Sequence, residues 1–282
     1  MNPLGIHALV WVGDWTEPSA QLAIESSRKA GFDIIEIPLL DPATVDPAMT
    51  RRLLDDNGLE ATCSLGLSAD TDVSSEDEKV VARGRDLLAE AVDAAHGFGA
   101  THMVGVVYSM MGKYTAPMSA LSRRHSVESM AWLHERTAQA GIALSLEVVN
   151  RYETNVANTA REMLALIDDT GADIGVHLDS YHMNIEENGM ADPVHATGDR
   201  FRYLHIGESH RGRLGTGNVN FDELFGTVRE VGYQGPVTFE SFSSAVVSKD
   251  LTPMLGLWRN LWDDGMDLAT HARGFMAERL GG

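Results

Sequence analysis

Four ionisable residues stand inside runs that are otherwise apolar and rich in β-forming types. They are Glu147 in ALSLEVVN (143–150), Asp179 in DIGVHLDS (173–180), His205 in RYLHIGES (202–209) and Glu240 in PVTFESF (236–242). A carboxylate within a buried strand is strongly destabilising unless it is paired, protonated or bound to a metal. A salt bridge to a neighbouring strand would account for any one of them. It accounts poorly for four on consecutive strands, because little basic sequence lies nearby to pair them. A single divalent ion held by three carboxylates and one imidazole answers all four at once. Oxygen-rich ligation with one nitrogen suits Mn²⁺, Mg²⁺ or Co²⁺ better than a thiolate-type zinc site. Cys63 is the one cysteine, so neither a Cys/His zinc cluster nor an internal disulfide is available.

Flanking residues extend this set. Glu153 follows Glu147 by six positions in LEVVNRYETN, His182 follows Asp179 by three in HLDSYHMNIEE, and Arg211 follows His205 by six in HIGESHRGRLGTGNVNF. Taken singly, each is as well read as a solvated acid, a capping or core histidine, and a surface cation. Taken together they put an acid, an imidazole and a guanidinium around the metal position, as recognition of a polyhydroxylated ligand needs. Gly212, Gly215 and Gly217 indicate a backbone passing close to something, but without the strand–helix context of a dinucleotide loop.

Such groups meet only if the strands carrying them run parallel and end at one face. The chain repeats one unit eight times: an apolar run, a loop, an amphipathic helix. The other runs are GIHALVWV (5–12), DIIEIPLL (33–40), EATCSLGL (60–67) and HMVGVVYS (102–109), and successive starts lie 27 to 42 residues apart. Runs apolar on both faces read as parallel strands covered on each side. Helical periodicity and capping signals place helices over 18–30, 74–99, 121–140, 157–170 and 220–230. Several of these end at Ala-Gly, Gly-Ala or Val-Gly pairs such as Ala30-Gly31 and Val231-Gly232. At 282 residues the chain is near the roughly 250 usual for a (β/α)₈ barrel. The expectation is one TIM barrel domain over 1–282, with a helical tail after 247. An open doubly wound sheet comes second, weakened by the lack of a GxGxxG or GxxxxGKS loop.

With 44% hydrophobic and 22% charged residues the chain has material for a core, which excludes a disordered protein. Its 41 acids against 22 bases give a net charge of −19, which argues against nucleic acid and against anionic membrane surfaces. MNPLGIHALVWVG is no secretion signal, and no window reaches about 18 apolar residues, so a cytoplasmic location is expected.

The segments LEVVNRYETN, GVHLDSYHMNIEE, HIGESHRGRLGTGNVNFDELF and VTFESF resemble those of the ketose 3-epimerases, the D-tagatose/D-allulose 3-epimerase group of the xylose-isomerase-like barrels. The resemblance runs from GIHALVW to the helical tail. It implies one Mn²⁺, Mg²⁺ or Co²⁺ bound at Glu147, Asp179, His205 and Glu240, with Glu153, His182 and Arg211 holding the O1/O2 end of a ketose. It also implies a homodimer or homotetramer. His7 stands where family members often carry tyrosine, and Met110 lies near a position where some carry tryptophan, both by the pocket mouth. Inversion at C3 of a ketose (D-fructose/D-allulose, D-tagatose/D-sorbose or L-ribulose/L-xylulose) removes a C–H proton and returns one to the opposite face through a cis-enediolate. Glu147 and Glu240 are the expected base and acid. Trp11, Trp15, Leu65 and the pair Met110 and Met111 are candidates for an apolar rim over the far end of the sugar, although such residues are more often plain core. Cys63 is read as ligand-facing by resemblance and equally well as ordinary burial. The competing activity is an aldose–ketose isomerase, hydroxypyruvate-type or sugar, using much the same residues. An endonuclease of the same superfamily is disfavoured by the charge of −19.

Overall fold

The structure is a computed structural model and describes residues 2–249 and 251–281. Eight parallel strands close into a barrel in sequence order: β1 Leu4–His7, β2 Ile34–Pro38, β3 Glu60–Leu67, β4 His102–Met110, β5 Ala143–Glu147, β6 Gly175–Asp179, β7 Phe201–Ile206 and β8 Val237–Phe239. The barrel expectation holds and the open sheet does not, because β8 pairs back onto β1 through Leu4–Val237, Gly5–Thr238 and Ile6–Phe239. Most strands are shorter than the apolar runs, and the difference falls mainly at their C-terminal ends. After His7, for instance, the chain turns at once into a short 3₁₀ segment, Ala8–Val10.

The helices are α1 Glu17–Lys29, α2 Pro47–Asn57, α3 Glu78–Phe98, α4 Ala120–Gln139, α5 Ala160–Thr170, α6 Ser180–Glu186, α7 Ala191–Thr197, α8 Phe221–Glu230, α9 Leu251–Met254 and α10 Gly265–Leu280. α2 lies outside the five helices expected from periodicity, yet its start is well marked. Asp46 accepts the Ala48 and Met49 amides and Pro47 opens the first turn. The expected helical region after 247 comprises, among the described residues, α9 and α10, and α10 packs against α8, β1 and β8 as the eighth helix of the ring.

Strand alternation divides the buried residues into two sets. Outward-facing Ile35, Ile37, Ala61, Cys63, Leu204, Ile206 and Phe239 join the apolar core shared with the helices. The inward set is polar. Glu36 on β2 reaches Tyr203 and His205 on β7, which is not its neighbour, so these contacts cross the lumen. Two glycines make the room: a Cβ on Gly5 would lie 2.4 Å from Thr238 Oγ1, and one on Gly175 would lie 2.4 Å from Ser145 Oγ.

Candidate active site

Glu147 and Asp179 are the last residues of β5 and β6, His205 is the penultimate residue of β7, and Glu240 directly follows β8. All four therefore meet at the C-terminal mouth of the barrel, and all are buried. His205 is the hub. Its Nε2 bonds Glu36 Oε2 at 2.8 Å, and its Nδ1 has no hydrogen-bond partner among the described residues. Around that free nitrogen stand Glu240 Oε1 at 3.5 Å, Glu147 Oε1 at 3.7 Å and Asp179 Oδ2 at 4.0 Å. One imidazole lone pair ringed by three carboxylate oxygens is a donor set for a hard or borderline divalent ion. The spacing is slightly wider than the roughly 3 Å edge of an octahedron with bonds of about 2.1 Å. The residues present therefore fit the ion that the sequence implies.

The acids are not without a cation, contrary to the sequence-based expectation. Arg211 Nη1 donates to Asp179 Oδ2 at 2.9 Å and to Glu240 Oε2 in a still closer contact. Even so, the carboxylates Glu36, Glu147, Glu153, Asp179 and Glu240 face a single guanidinium, because burial lowers the pKa values of the His7, His177 and His182 imidazoles. Burial, reinforced by the charges of Glu240 and Asp179, pushes the Glu147 carboxyl well above the ordinary range. Burial alone would push the His205 imidazolium down, but Glu36, Glu240 and Glu147 together raise it. A divalent cation would relieve both frustrations, displacing the proton from His205.

The flanking residues also converge. Glu153, His182 and Arg211 line the same pocket as Glu147, His205 and Glu240. Asn150 orients two of them, donating its backbone N–H to His182 Nδ1 at 3.2 Å and its side-chain amide to Glu153 Oε1 at 2.9 Å. His182 Nε2 lies 3.1 Å from Arg211 Nη2, which donates to it, and burial lowers the His182 pKa to about 3, so the ring is neutral. Arg211 holds a left-handed backbone (φ 61°) that non-glycine residues rarely adopt. Its amide bonds Glu208 O and its carbonyl accepts from Ser241 Oγ, which pin that conformation. The glycine-rich stretch beyond it wraps an internal carboxylate rather than a phosphate. Glu208 accepts the amides of Ser209, Gly215 and Val219, and a Cβ on Gly217 would lie 2.4 Å from Glu208 Oε1.

The other wall is apolar: Leu9, Leu40, Leu65, Met111, Phe242, Leu251 and Leu255, with His7 and Ser64 as its polar members. His7 thus reaches the pocket. Cys63 and Trp15 do not. Thr62 and Ser64 face the lumen, so alternation turns Cys63 outward, where it is 0% exposed with Sγ near His102 O. Trp15 bonds Thr50 Oγ1 and lines a neighbouring groove with Val12 and Thr44, while Trp11 is tied to Ser27. Sequence reasoning missed Glu36 and His177, whose Nδ1 lies 4.0 Å from Glu147 Oε2. The signal for Glu36 was present: an acid in the apolar run DIIEIPLL, the same anomaly that marked the four strand-end groups.

Known proteins share this architecture. The xylose isomerase-like TIM barrel family model matches residues 24–270. An L-ribulose 3-epimerase of Methylomonas sp. (strain DH-1) is 51% identical over 276 residues, covering 98% of this chain and 96% of that protein. A ketose 3-epimerase of Arthrobacter globiformis is 49% identical over 278 residues, covering 98% and 96%. The crystal structure of a D-allulose 3-epimerase from Methylomonas sp. in complex with D-allulose superposes with a TM-score of 0.97 at 50% identity, covering 99% of this chain and 97% of that one. With its four strand-end groups converging under one pocket, the chain belongs to the ketose 3-epimerases of the xylose isomerase-like TIM barrel family.

Proposed function

We propose that this isomerase-class enzyme inverts C3 of free ketoses, with pairs such as D-fructose/D-allulose, D-tagatose/D-sorbose and L-ribulose/L-xylulose as the candidate substrates. The observation that carries the reading is the ring of Glu147, Asp179 and Glu240 oxygens around the unpartnered His205 Nδ1, at the floor of a pocket with an apolar opposite wall. Those four residues would hold one Mn²⁺, Mg²⁺ or Co²⁺, which supplies Lewis acidity to the ketose oxygens flanking the reacting carbon.

The proton transfers belong to the chain. Glu147 and Glu240 come from β5 and from the end of β8, on either side of β6 and β7, so they approach a sugar between them from different directions. One takes the C3 proton and the other returns a proton to the opposite face; the roles exchange in the reverse reaction. Arg211 Nη2 donates to His182 Nε2 at 3.1 Å, which holds the guanidinium and the imidazole side by side at one end of the pocket, where the guanidinium charge would stabilise a substrate oxygen. Glu153 adds an acceptor for a hydroxyl at the same end. Leu9, Leu40 and Leu255 exclude water from the other end.

The same reading includes a cytoplasmic homodimer or homotetramer. Trp258 is 77% and Met254 46% exposed on the segment whose Leu251 and Leu255 line the pocket, which supports assembly through that face. Among the described residues no helix is long and apolar enough to cross a membrane. The activity is tested by supplying the protein with Mn²⁺, Mg²⁺ or Co²⁺ and assaying D-allulose, D-tagatose, D-fructose, L-ribulose and D-ribulose. Formation of the C3 epimer from at least one of them is expected. No turnover of any ketose with any of the three ions would overturn the reading.

A further inference from the structure

Glu36 is fully buried in the lumen, outside the four-residue donor set, and the proton transfers make no use of it. Its Oε2 takes two hydrogen bonds, from His205 Nε2 at 2.8 Å and from Tyr203 OH at 2.7 Å. The phenol oxygen of Tyr203 is itself flanked by Thr62 Oγ1 at 2.8 Å and Thr238 Oγ1 at 2.9 Å. These hydroxyls donate to the phenol oxygen while its own hydrogen goes to Glu36. A carboxylate has no hydrogen to give, so His205 must place one on Nε2. A neutral imidazole carries only one N–H, and its lone pair is then left on Nδ1.

We propose that Glu36 is a positioning residue that acts through His205, fixing the tautomer and ring orientation that turn Nδ1 toward the ion. The inference rests on the reading that Glu147, Asp179, His205 and Glu240 bind a divalent metal. A carboxylate bonded to the distal nitrogen of a histidine ligand also raises the ligand's basicity, and losing such a partner typically weakens metal binding by about 10- to 100-fold.

The neighbours of Glu36 make the charge-removing substitution informative. Its other oxygen, Oε1, has no hydrogen-bond partner and faces His7 Nε2 at 3.6 Å. His7 Nδ1 accepts the Leu9 amide and His7 Nε2 is hydrogen-bonded to Ser64 Oγ at 3.2 Å, so His7 gives Glu36 no hydrogen bond. The donors on Glu36, His205 Nε2 and Tyr203 OH, both act at Oε2. A glutamine here keeps the shape and loses the charge, and it can accept from His205 and Tyr203 only through its amide oxygen, a weaker acceptor than a carboxylate.

The test is the Mn²⁺ dissociation constant of metal-free wild type and Glu36→Gln, measured by competition with a chelator, alongside the melting temperature of each metal-free protein. A loss of tenfold or more in Mn²⁺ affinity is expected for the variant. A loss smaller than tenfold overturns the proposal, including the case in which only the metal-free melting temperature falls, which is what a purely structural role would give. A wild type that takes up no Mn²⁺ would instead defeat the metal reading on which the proposal stands. If Glu36→Gln does not fold, ¹⁵N NMR of the Mg²⁺-loaded wild type decides. His205 protonated at Nε2 and bare at Nδ1 supports the proposal, and the opposite pattern overturns it.

Discussion

The two halves of the barrel mouth are built for different work. Strands β5 to β8 and their loops bring Glu147, Glu153, Asp179, His182, His205, Arg211 and Glu240 to one side of the pocket. Strands β1 to β4 and their loops bring Leu9, Leu40, Leu65 and Met111, with His7 and Ser64 as the polar side chains, and the segment after β8 adds Phe242, Leu251 and Leu255 to this apolar wall. Reaction chemistry is thus assigned to rigid strand ends that already oppose one another. The facing wall supplies shape and dryness, which loops can vary without disturbing proton transfer. Glu36 is the exception, a β2 carboxylate that crosses the lumen to grip a β7 histidine.

The sharpest way to break this division is to remove acid/base capacity from the charged half. Glu147→Gln and Glu240→Gln are each expected to lower kcat/KM by at least about 10³-fold while circular dichroism stays native. Epimerisation at a near wild-type rate by either variant would remove that residue from the proton-transfer role. Next in size is metal removal. Chelator treatment should abolish turnover and lower the melting temperature, and added Mn²⁺ should restore both, because a ligand that binds only the folded state stabilises it. Full activity after verified metal removal would contradict the charged half as described.

A smaller effect concerns the loop that carries Arg211. Glu208 is buried, a factor that raises its pKa, but the amides of Ser209, Val219, Gly217 and Gly215 outweigh this and hold the carboxyl below its ordinary range. A carboxyl with a lowered folded-state pKa contributes stability that is complete above its unfolded value of about 4.3 and is lost as pH falls through the folded value. Glu208→Gln should therefore melt below wild type at pH 7, with the gap narrowing below about pH 4. Calorimetry across that range checks it, and a gap independent of pH would deny the charge any part. Smallest of all is Cys63→Ala. It should leave kcat/KM within about twofold and destabilise by about 1 kcal/mol, since the side chain packs behind the sheet and away from the pocket. A large catalytic loss would return Cys63 to the site.

The barrel was legible because every strand is buried on both faces and therefore announces itself as an apolar run. Strand ends were less so, since the pattern of apolar types continues past the last ladder bond, as in GIHALVWV beyond His7. Convergence of the strand-end groups followed from the parallel repeat alone. What the repeat does not contain is closure. Only when β8 meets β1 does Glu36 come opposite His205 across the lumen, 169 positions away in sequence. Inward or outward direction was readable for Cys63, between the polar Thr62 and Ser64, but only with strand parity applied to each position. Trp15 was beyond such reasoning because a loop, not a strand, sets its direction. The glycines after Arg211 did mark a close approach, yet the group approached is Glu208 of the same loop.

Incubating the metal-loaded protein in D₂O with D-fructose, D-allulose and L-ribulose and locating the label by NMR tests the central claim most directly. Reversible proton transfer at C3 predicts deuterium at C3 of the recovered ketose and its epimer, with none at C1. Deuterium at C1 with C3 unlabelled would make the enzyme an aldose–ketose isomerase and contradict the account.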